Sequence, residues 1–282
     1  MTSPLAASRA RRVAFQGAHG AYSEEAVRRL WPDAVTVPLR ENIDVARAVE
    51  RGEVDVGVLP VENTLAGSVV ATYDAIAACE PLHAVAEVVV AIHHCVLGVP
   101  GATLDEVRVV ESHPVALAQA RGFFGAHPHL EPRASYDTAG AAQEVARAGD
   151  PRRAALASRA AAEAYGLQLL APDVEDRPDN QTRFVALALA PVPPGAGEPA
   201  RTMLLVDTAN VPGALYRALG ELAERGLNLS KIESRPTGDP WRYRFILEVA
   251  HRGGDPALPG AVEGIRGVAE GCRVVGSYAL KS

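Results

Sequence analysis

The sequence predicts an α/β protein in two parts, and three observations carry that expectation. Strand-like and helix-like runs alternate along the chain between Val13 and Gly166, in two successive sets. The run Pro191-Val192-Pro193-Pro194-Gly195-Ala196-Gly197-Glu198-Pro199 then breaks the pattern, being too rich in proline and glycine for strand or helix. The last stretch, about 80 residues, reads βαββαβ, a ferredoxin-like order. The expected division is therefore 12–190 for the first part, with a second lobe at about 90–168, then a linker at 191–200 and a separate domain at 201–282.

The first set begins with a strand at Val13–Phe15, a glycine-bearing loop, and a helix from Glu24 to about Leu30 with Ser23 as its N-cap. The loop lacks GxGxxG spacing. Val35–Val37 is a strand, Asn42–Arg51 a helix closed by Gly52, and Val54, Val56 and Val58 alternate as a third strand. This βαβαβ order predicts a parallel sheet with ligands bound beyond the carboxyl ends of its strands. After the third strand, Pro60 to Ser68 reads as a polar loop of small side chains. Ser68 there suits the N-cap of a helix at about Val69–Ala78. Val85–Val99 is the crossover into the second lobe. Its His93 and His94 are neighbours that point to opposite faces of a strand, so no chemistry is assigned to them.

The second set starts with a strand at Val107–Val110, and Glu111-Ser112-His113-Pro114 turns into a helix with proline at its first position. His113 suits an acid or base role, and equally a local hydrogen bond. Asp137-Thr138 caps an alanine-rich helix ending at Gly149. A strand at Ala154–Ala157 and a helix from Ser158 to Gly166 follow, and Leu167–Leu170 leads back toward the first lobe. If the lobes oppose each other, Ser23, Asn63, Ser112, Thr138 and Ser158 present hydroxyls, an amide and helix starts to an anion in one cleft.

Asn180-Gln181-Thr182-Arg183-Phe184 stands where an acidic, proline-bearing loop enters the apolar run Val185–Leu189. A hydroxyl, a guanidinium and an aromatic ring in succession suit a small aromatic acid, although a strand start with a solvated arginine fits the same five residues. Beyond the linker come a strand at Met203–Val206, a helix from Pro212-Gly213-Ala214-Leu215 to Arg225, and strands at Leu227–Glu233 and Arg242–Val249. A helix within Pro256–Glu270 and a strand at Cys272–Tyr278 complete the order. A sheet so built has one open face.

Bulk composition narrows the classes. A net charge of −6 argues against a nucleic-acid surface, and 48% apolar residues suffice for a sizeable core. Cys79, Cys95 and Cys272 lack metal-ligand spacing and fit a reducing compartment. Arg11-Arg12 is not followed by the apolar segment of an export signal, and no run reaches the ~18 apolar residues of a membrane span. A cytoplasmic protein with no membrane or nucleic-acid partner is expected.

Taken in order, these motifs resemble the prephenate dehydratase family with its regulatory ACT domain, from Arg12 to about Ser277. Val13-Ala14-Phe15-Gln16-Gly17 to Tyr22-Ser23 is similar to the family's opening, and Pro60-Val61-Glu62-Asn63 with Gly67-Ser68 to its second motif. Ser112-His113-Pro114 with Leu117-Ala118-Gln119 is similar to the third, and Thr182-Arg183-Phe184 to the dehydratase signature. Pro212-Gly213-Ala214-Leu215 and Glu233-Ser234-Arg235-Pro236 resemble the two effector-site motifs. Ala18, Ala21 and Asp137 depart from the common pattern. Asp137-Thr138-Ala139-Gly140-Ala141-Ala142 is also similar to plant-type arogenate dehydratases.

The resemblance implies a catalytic part with two lobes like a type II periplasmic binding protein, followed by the ACT domain. It implies decarboxylative dehydration of prephenate to phenylpyruvate without metal or cofactor, control by L-phenylalanine, and a homodimer or homotetramer. Arogenate dehydration is the alternative, and a non-catalytic small-molecule sensor is a second of another class. Thr182 is then the catalytic hydrogen-bond donor or proton relay. Ser23, Asn63, Ser68, Ser112, Thr138, Arg183 and Phe184 are expected substrate binders, with Arg183 on the side-chain carboxylate or supporting the cleft. Pro212, Gly213, Ala214, Leu215, Asn228, Ser230, Glu233 and Ser234 are the expected effector site.

Overall fold

In the computed structural model, which describes residues 11–280, the alternation becomes two mixed sheets flanking a cleft, with a third sheet stacked behind the first. Strands β1 (Arg12–Gln16), β2 (Val35–Leu39) and β3 (Val56–Asn63) run parallel, connected by α1 (Tyr22–Leu30) and α2 (Asn42–Glu50). The sheet is mixed rather than purely parallel. After β5 (His83–Ala91) the chain leaves for the second lobe, and it returns as β11 (Gln181–Ala188), which inserts antiparallel between β3 and β5.

Two expected caps move. Ser23 lies inside α1, because Glu24 reaches back to the Gly20 N–H at 2.7 Å and the helix begins two residues earlier than expected, with Ala21 at its N-cap. Ser68 is in β4 (Gly67–Ser68), a short strand hairpinned onto β3, and Val69 precedes α3 (Val70–Ala78) instead. The polar loop is thus a hairpin. Asn63 closes it by accepting the N–H groups of Leu65 and Ala66 through its side-chain oxygen.

The second lobe contains β6 (Cys95–Gly98), β7 (Val109–Ser112), α4 (Pro114–Ala118), α5 (Arg121–Ala126), β8 (Glu131–Ala134) and α6 (Thr138–Ala148). It ends with β9 (Arg153–Ala157), α7 (Arg159–Tyr165) and β10 (Gln168–Ala171), in sheet order β10-β6-β9-β7-β8. Because β10 pairs antiparallel with β6, Leu167–Leu170 stays in this lobe, and the return path is 172–180. Asp137 caps α6 as expected from its sequence, and left-handed Gly149 ends it.

β12 (Pro199–Asp207), α8 (Ala214–Ala223), β13 (Asn228–Pro236), β14 (Tyr243–Arg252), α9 (Ala257–Val268) and β15 (Gly271–Ala279) give the expected βαββαβ order, all antiparallel. One face packs Leu204, Val206, Leu247 and Val249 against its own helices. The other, expected to be open, is covered: Met203, Leu205, Ile246, Val275 and Tyr278 share one core with Tyr73, Ile76 and Leu187 of the first lobe. A β-bulge at Ser230 shifts the register between Leu229 and Lys231, so Leu229 packs toward the helices while Lys231, Glu233 and Arg235 reach the first lobe. Among the described residues no helix is long and apolar enough to cross a membrane.

Gly276 marks the tightest approach of the two parts, since a Cβ there would meet Ala84 O at 2.1 Å. Gly276→Val is expected to lower stability by roughly 1–3 kcal/mol through overpacking of backbone on backbone. Gly220→Ala in α8, where nothing lies within 4 Å, serves as the tolerated control. Chemical denaturation of both variants distinguishes a real close approach from a general intolerance of glycine replacement.

Candidate active site

Strand β11 organises the site through its pleat. Thr182 and Phe184 turn toward the cleft, whereas Arg183 turns to the opposite face, as successive residues of a strand must. The cleft has a volume of about 420 Å³ and takes walls from both lobes. Ser23, Asn63, Ser68, Thr138, Thr182 and Phe184 all line it, as the sequence predicts. Ser112 and Arg183 do not, and neither does Ser158, which is buried with its hydroxyl donating to Gly20 O.

Ser112 is fully buried and donates to Leu156 O, so it ties β7 to β9 and does not reach the cleft. Arg183 lies between Glu62, Glu87 and Glu248, with its Nη2 at 3.0 Å from Glu62 and 2.8 Å from Glu248. Arg201 joins Glu87, and Lys231 Nζ sits 2.8 Å from Glu62. Burial opposes the arginine's charge, but the surrounding carboxylates, Glu248 foremost, outweigh it and hold the guanidinium firmly protonated. Burial likewise opposes ionisation of Glu62, yet Lys231 and Arg183 hold its carboxyl below the ordinary range. Glu62 therefore faces the domain junction.

Beneath the cleft runs a chain of side-chain amides. Asn63 Nδ2 donates to Thr182 Oγ1 at 2.9 Å and to Asn180 Oδ1 at 2.7 Å, and Asn180 Nδ2 donates to Gln119 Oε1 at 3.0 Å. His94 Nε2 lies 3.1 Å from the same Gln119 oxygen, and its Nδ1 lies 3.0 Å from the Tyr22 hydroxyl. Burial pushes the His94 imidazole toward its neutral form. Reasoning from sequence missed His94, Asn180 and Gln119 as site residues. The available signal was polar side chains inside runs otherwise destined for the core, which a fold must satisfy with partners.

Asp137 lines the cleft with both oxygens occupied, accepting the N–H groups of Ala18, Ala139 and Gly140 at 3.2, 2.9 and 3.2 Å. Burial raises its pKa despite those bonds. Among the described residues, neither lysine nor arginine lines the cavity. The metal-capable grouping found among the described residues, His93, Asp173 and Glu175, lies outside the cleft lining, and Glu175 already accepts from His94 N and contacts His93.

In the C-terminal domain, Pro212, Gly213, Ala214 and Leu215 form the entry to α8, with Gly213 left-handed at φ 77°. Asn228 and Ser234 are exposed on β13, and Ser230 donates to Glu248 O. The Glu233 carboxylate does not join them. It accepts the hydroxyl of Ser68 on the cleft hairpin.

Residues 13–191 match the sequence profile described as prephenate dehydratase, and residues 202–264 match that of the ACT domain. The chain belongs to the prephenate dehydratase family. A family member from Arabidopsis thaliana, arogenate dehydratase/prephenate dehydratase 2, chloroplastic, is 39% identical over 277 residues, spanning 95% of this chain and 72% of that protein. The bifunctional N-acyl-homoserine lactone acylase/prephenate dehydratase of Komagataeibacter europaeus is 38% identical over 270 residues, spanning 94% of this chain and 95% of its own. The crystal structure of prephenate dehydratase from Arthrobacter aurescens in complex with L-Phe superposes with a TM-score of 0.88 at 31% identity, covering 95% of this chain and 90% of that one.

The Thr182 hydroxyl accepts from Asn63 and keeps its own proton at the cleft wall. Thr182→Ala is expected to lower kcat about 100-fold or more while changing KM little, because the lost contact strengthens only as charge develops. Steady-state kinetics on the folded variant measures this, and a change confined to KM reassigns Thr182 to binding.

Proposed function

We propose that the chain converts prephenate to phenylpyruvate, water and carbon dioxide, with L-phenylalanine as its regulator. The observation that carries this reading is Thr182, an unencumbered donor in a cleft where the one lining carboxylate among the described residues, Asp137, is occupied by three backbone N–H groups. In the reaction the ring carboxylate leaves as carbon dioxide and its electron pair enters the ring, which expels the ring hydroxyl. Thr182 donates to that oxygen, and one proton taken up completes the water. The described cleft lining supplies no lysine or arginine, so the departing carboxylate is not held in its ionised ground state.

Arogenate is the second reading, favoured by the names of the plant relatives. Arogenate carries an ammonium where prephenate has a keto oxygen, and such a group is best recognised by a free carboxylate. Glu62 faces Lys231 and Arg183, and both oxygens of Asp137 already accept backbone N–H groups, which supports prephenate. The purified protein is expected to show the higher kcat/KM with prephenate. A higher value with arogenate reverses the assignment.

The L-Phe complex of the Arthrobacter aurescens relative supports L-phenylalanine as a ligand, and the ACT match over 202–264 with its left-handed Gly213 turn makes the C-terminal domain the proposed place for it. A homodimer or homotetramer is part of the reading, supported by the exposed Val211, Tyr216 and Trp241 side chains of that domain. Three free cysteines support a reducing, cytoplasmic setting. Removing the domain would uncover the apolar face shared with Tyr73 and Leu187, so a point substitution is the cleaner test. At Gly213, with φ 77° and Arg217 Nη1 at 3.2 Å from where a Cβ would stand, valine is both strained and obstructive. Calorimetry is expected to detect L-phenylalanine binding to the intact protein and at least a tenfold weaker affinity in Gly213→Val, about 1.4 kcal/mol.

A further inference from the structure

The amide chain beneath the cleft has one sense of polarity, and it is fixed from one end. Asn63 Oδ1 accepts two backbone N–H groups, those of Leu65 and Ala66, so its Nδ2 must be the donor toward Asn180 and Thr182. The contacting atom of Asn180 is thereby an acceptor oxygen, its other end is a donor, and the atom of Gln119 that meets it is an oxygen. That oxygen also faces His94 Nε2 at 3.1 Å. An unprotonated Nε2 would set two lone pairs against each other in a buried site, which the interior does not tolerate cheaply. His94 is therefore assigned the Nε2–H tautomer, and the single Tyr22 proton is shared between two acceptors, the His93 carbonyl at 2.6 Å and the His94 Nδ1 lone pair at 3.0 Å.

At the cleft surface this polarity leaves donors. Thr182 accepts from Asn63 and retains its proton, while Gln119 Nε2 has a single long contact, 3.5 Å to Asn63 Oδ1, so an N–H remains for a ligand. Both residues line the cavity. Neutral donors aimed at one point suit charge that appears only as hydroxide departs, and such contacts act on kcat rather than on ground-state binding.

We infer that His94 and Asn180 are positioning residues that hold Gln119 and Thr182 as a donor pair for the departing hydroxide, an inference that rests on the dehydratase reading above. The four come from both lobes and both crossovers: Thr182 from β11, Gln119 from the end of α4, His94 from the outgoing connection and Asn180 from the returning one. His94 locks the second lone pair of Gln119 Oε1, and without that lock the carboxamide is free to turn an acceptor toward the substrate.

His94→Leu removes the Nε2–H, whereas His94→Gln keeps an N–H at similar reach. With prephenate, the leucine variant is expected to lose about tenfold or more in kcat with KM changed less than about threefold, and the glutamine variant to recover most of the loss. In the Thr182→Ala background the cost of His94→Leu should shrink markedly, since one of the two donors it orients is gone. Melting temperatures measured alongside separate these effects from unfolding. Independently of turnover, ¹⁵N spectra of histidine-labelled wild-type protein should show a neutral Nε2–H imidazole for the resonance lost in His94→Gln. An Nδ1–H tautomer overturns the inference, as does a leucine variant with wild-type kcat or a loss that glutamine fails to recover. Wild-type protein inert toward both prephenate and arogenate instead defeats the dehydratase reading, while the tautomer still decides the polarity.

Discussion

The structure depends on the opposite orientations of two consecutive residues. Thr182 faces the cleft and Arg183 faces the C-terminal domain, because β11 is a central strand with its neighbours β3 and β5 on either side and different partners above and below. Behind the sheet, Arg183, Arg201 and Lys231 oppose Glu62, Glu87 and Glu248, a balance of three charges against three. Glu248 is 1% exposed, so an unpartnered charge in that cluster would be severe, on the order of 3–5 kcal/mol. The cluster thus fixes the register of the strand that presents Thr182.

The same junction connects the C-terminal domain to the cleft over a short distance. Lys231 and Glu233 both contact Ser68, which lines the cleft, and Lys231 also contacts Glu62, the residue next to Asn63. Movement of β13 relative to the first lobe must therefore either carry the hairpin β3–β4 along or break buried polar contacts. Arg235 adds a paired contact to Asp74 on α3, one helix beyond the hairpin. An effector that favours one position of β13 has a direct mechanical route to the amide chain through Asn63.

Much of this was legible in the residues. The strand–helix alternation, the caps at Asp137 and Ser158, the glycine stops at 149 and 166 and the βαββαβ tail are local features, and local chemistry is sufficient to read them. Thr182 and Asn63 were legible as cleft residues from their motifs. Of the two roles read for Arg183, contact with the substrate carboxylate does not fit, since strand alternation turns it away from Thr182, while support of the cleft agrees with its charged cluster behind the sheet. What sequence cannot supply is which layer covers each face, and the burial of the ferredoxin-like sheet against the first lobe is such a fact. His94 escaped for a related reason: its partners, Gln119 and Tyr22, lie 25 and 72 residues away and meet it only through the packing of two lobes.

The bulge at Ser230 bears on how this protein could be recombined with its relatives. A transplanted regulatory domain with identical contact residues, but in which the residue at position 230 paired in the ladder instead of bulging out, would present the wrong side of β13: Lys231, Glu233 and Arg235 would turn toward α8 and α9, and their neighbours toward Glu62 and Asp74. Compatibility between donor and recipient is therefore a matter of ladder register before side-chain identity, and a chimera can fail at this junction with every interacting side chain retained.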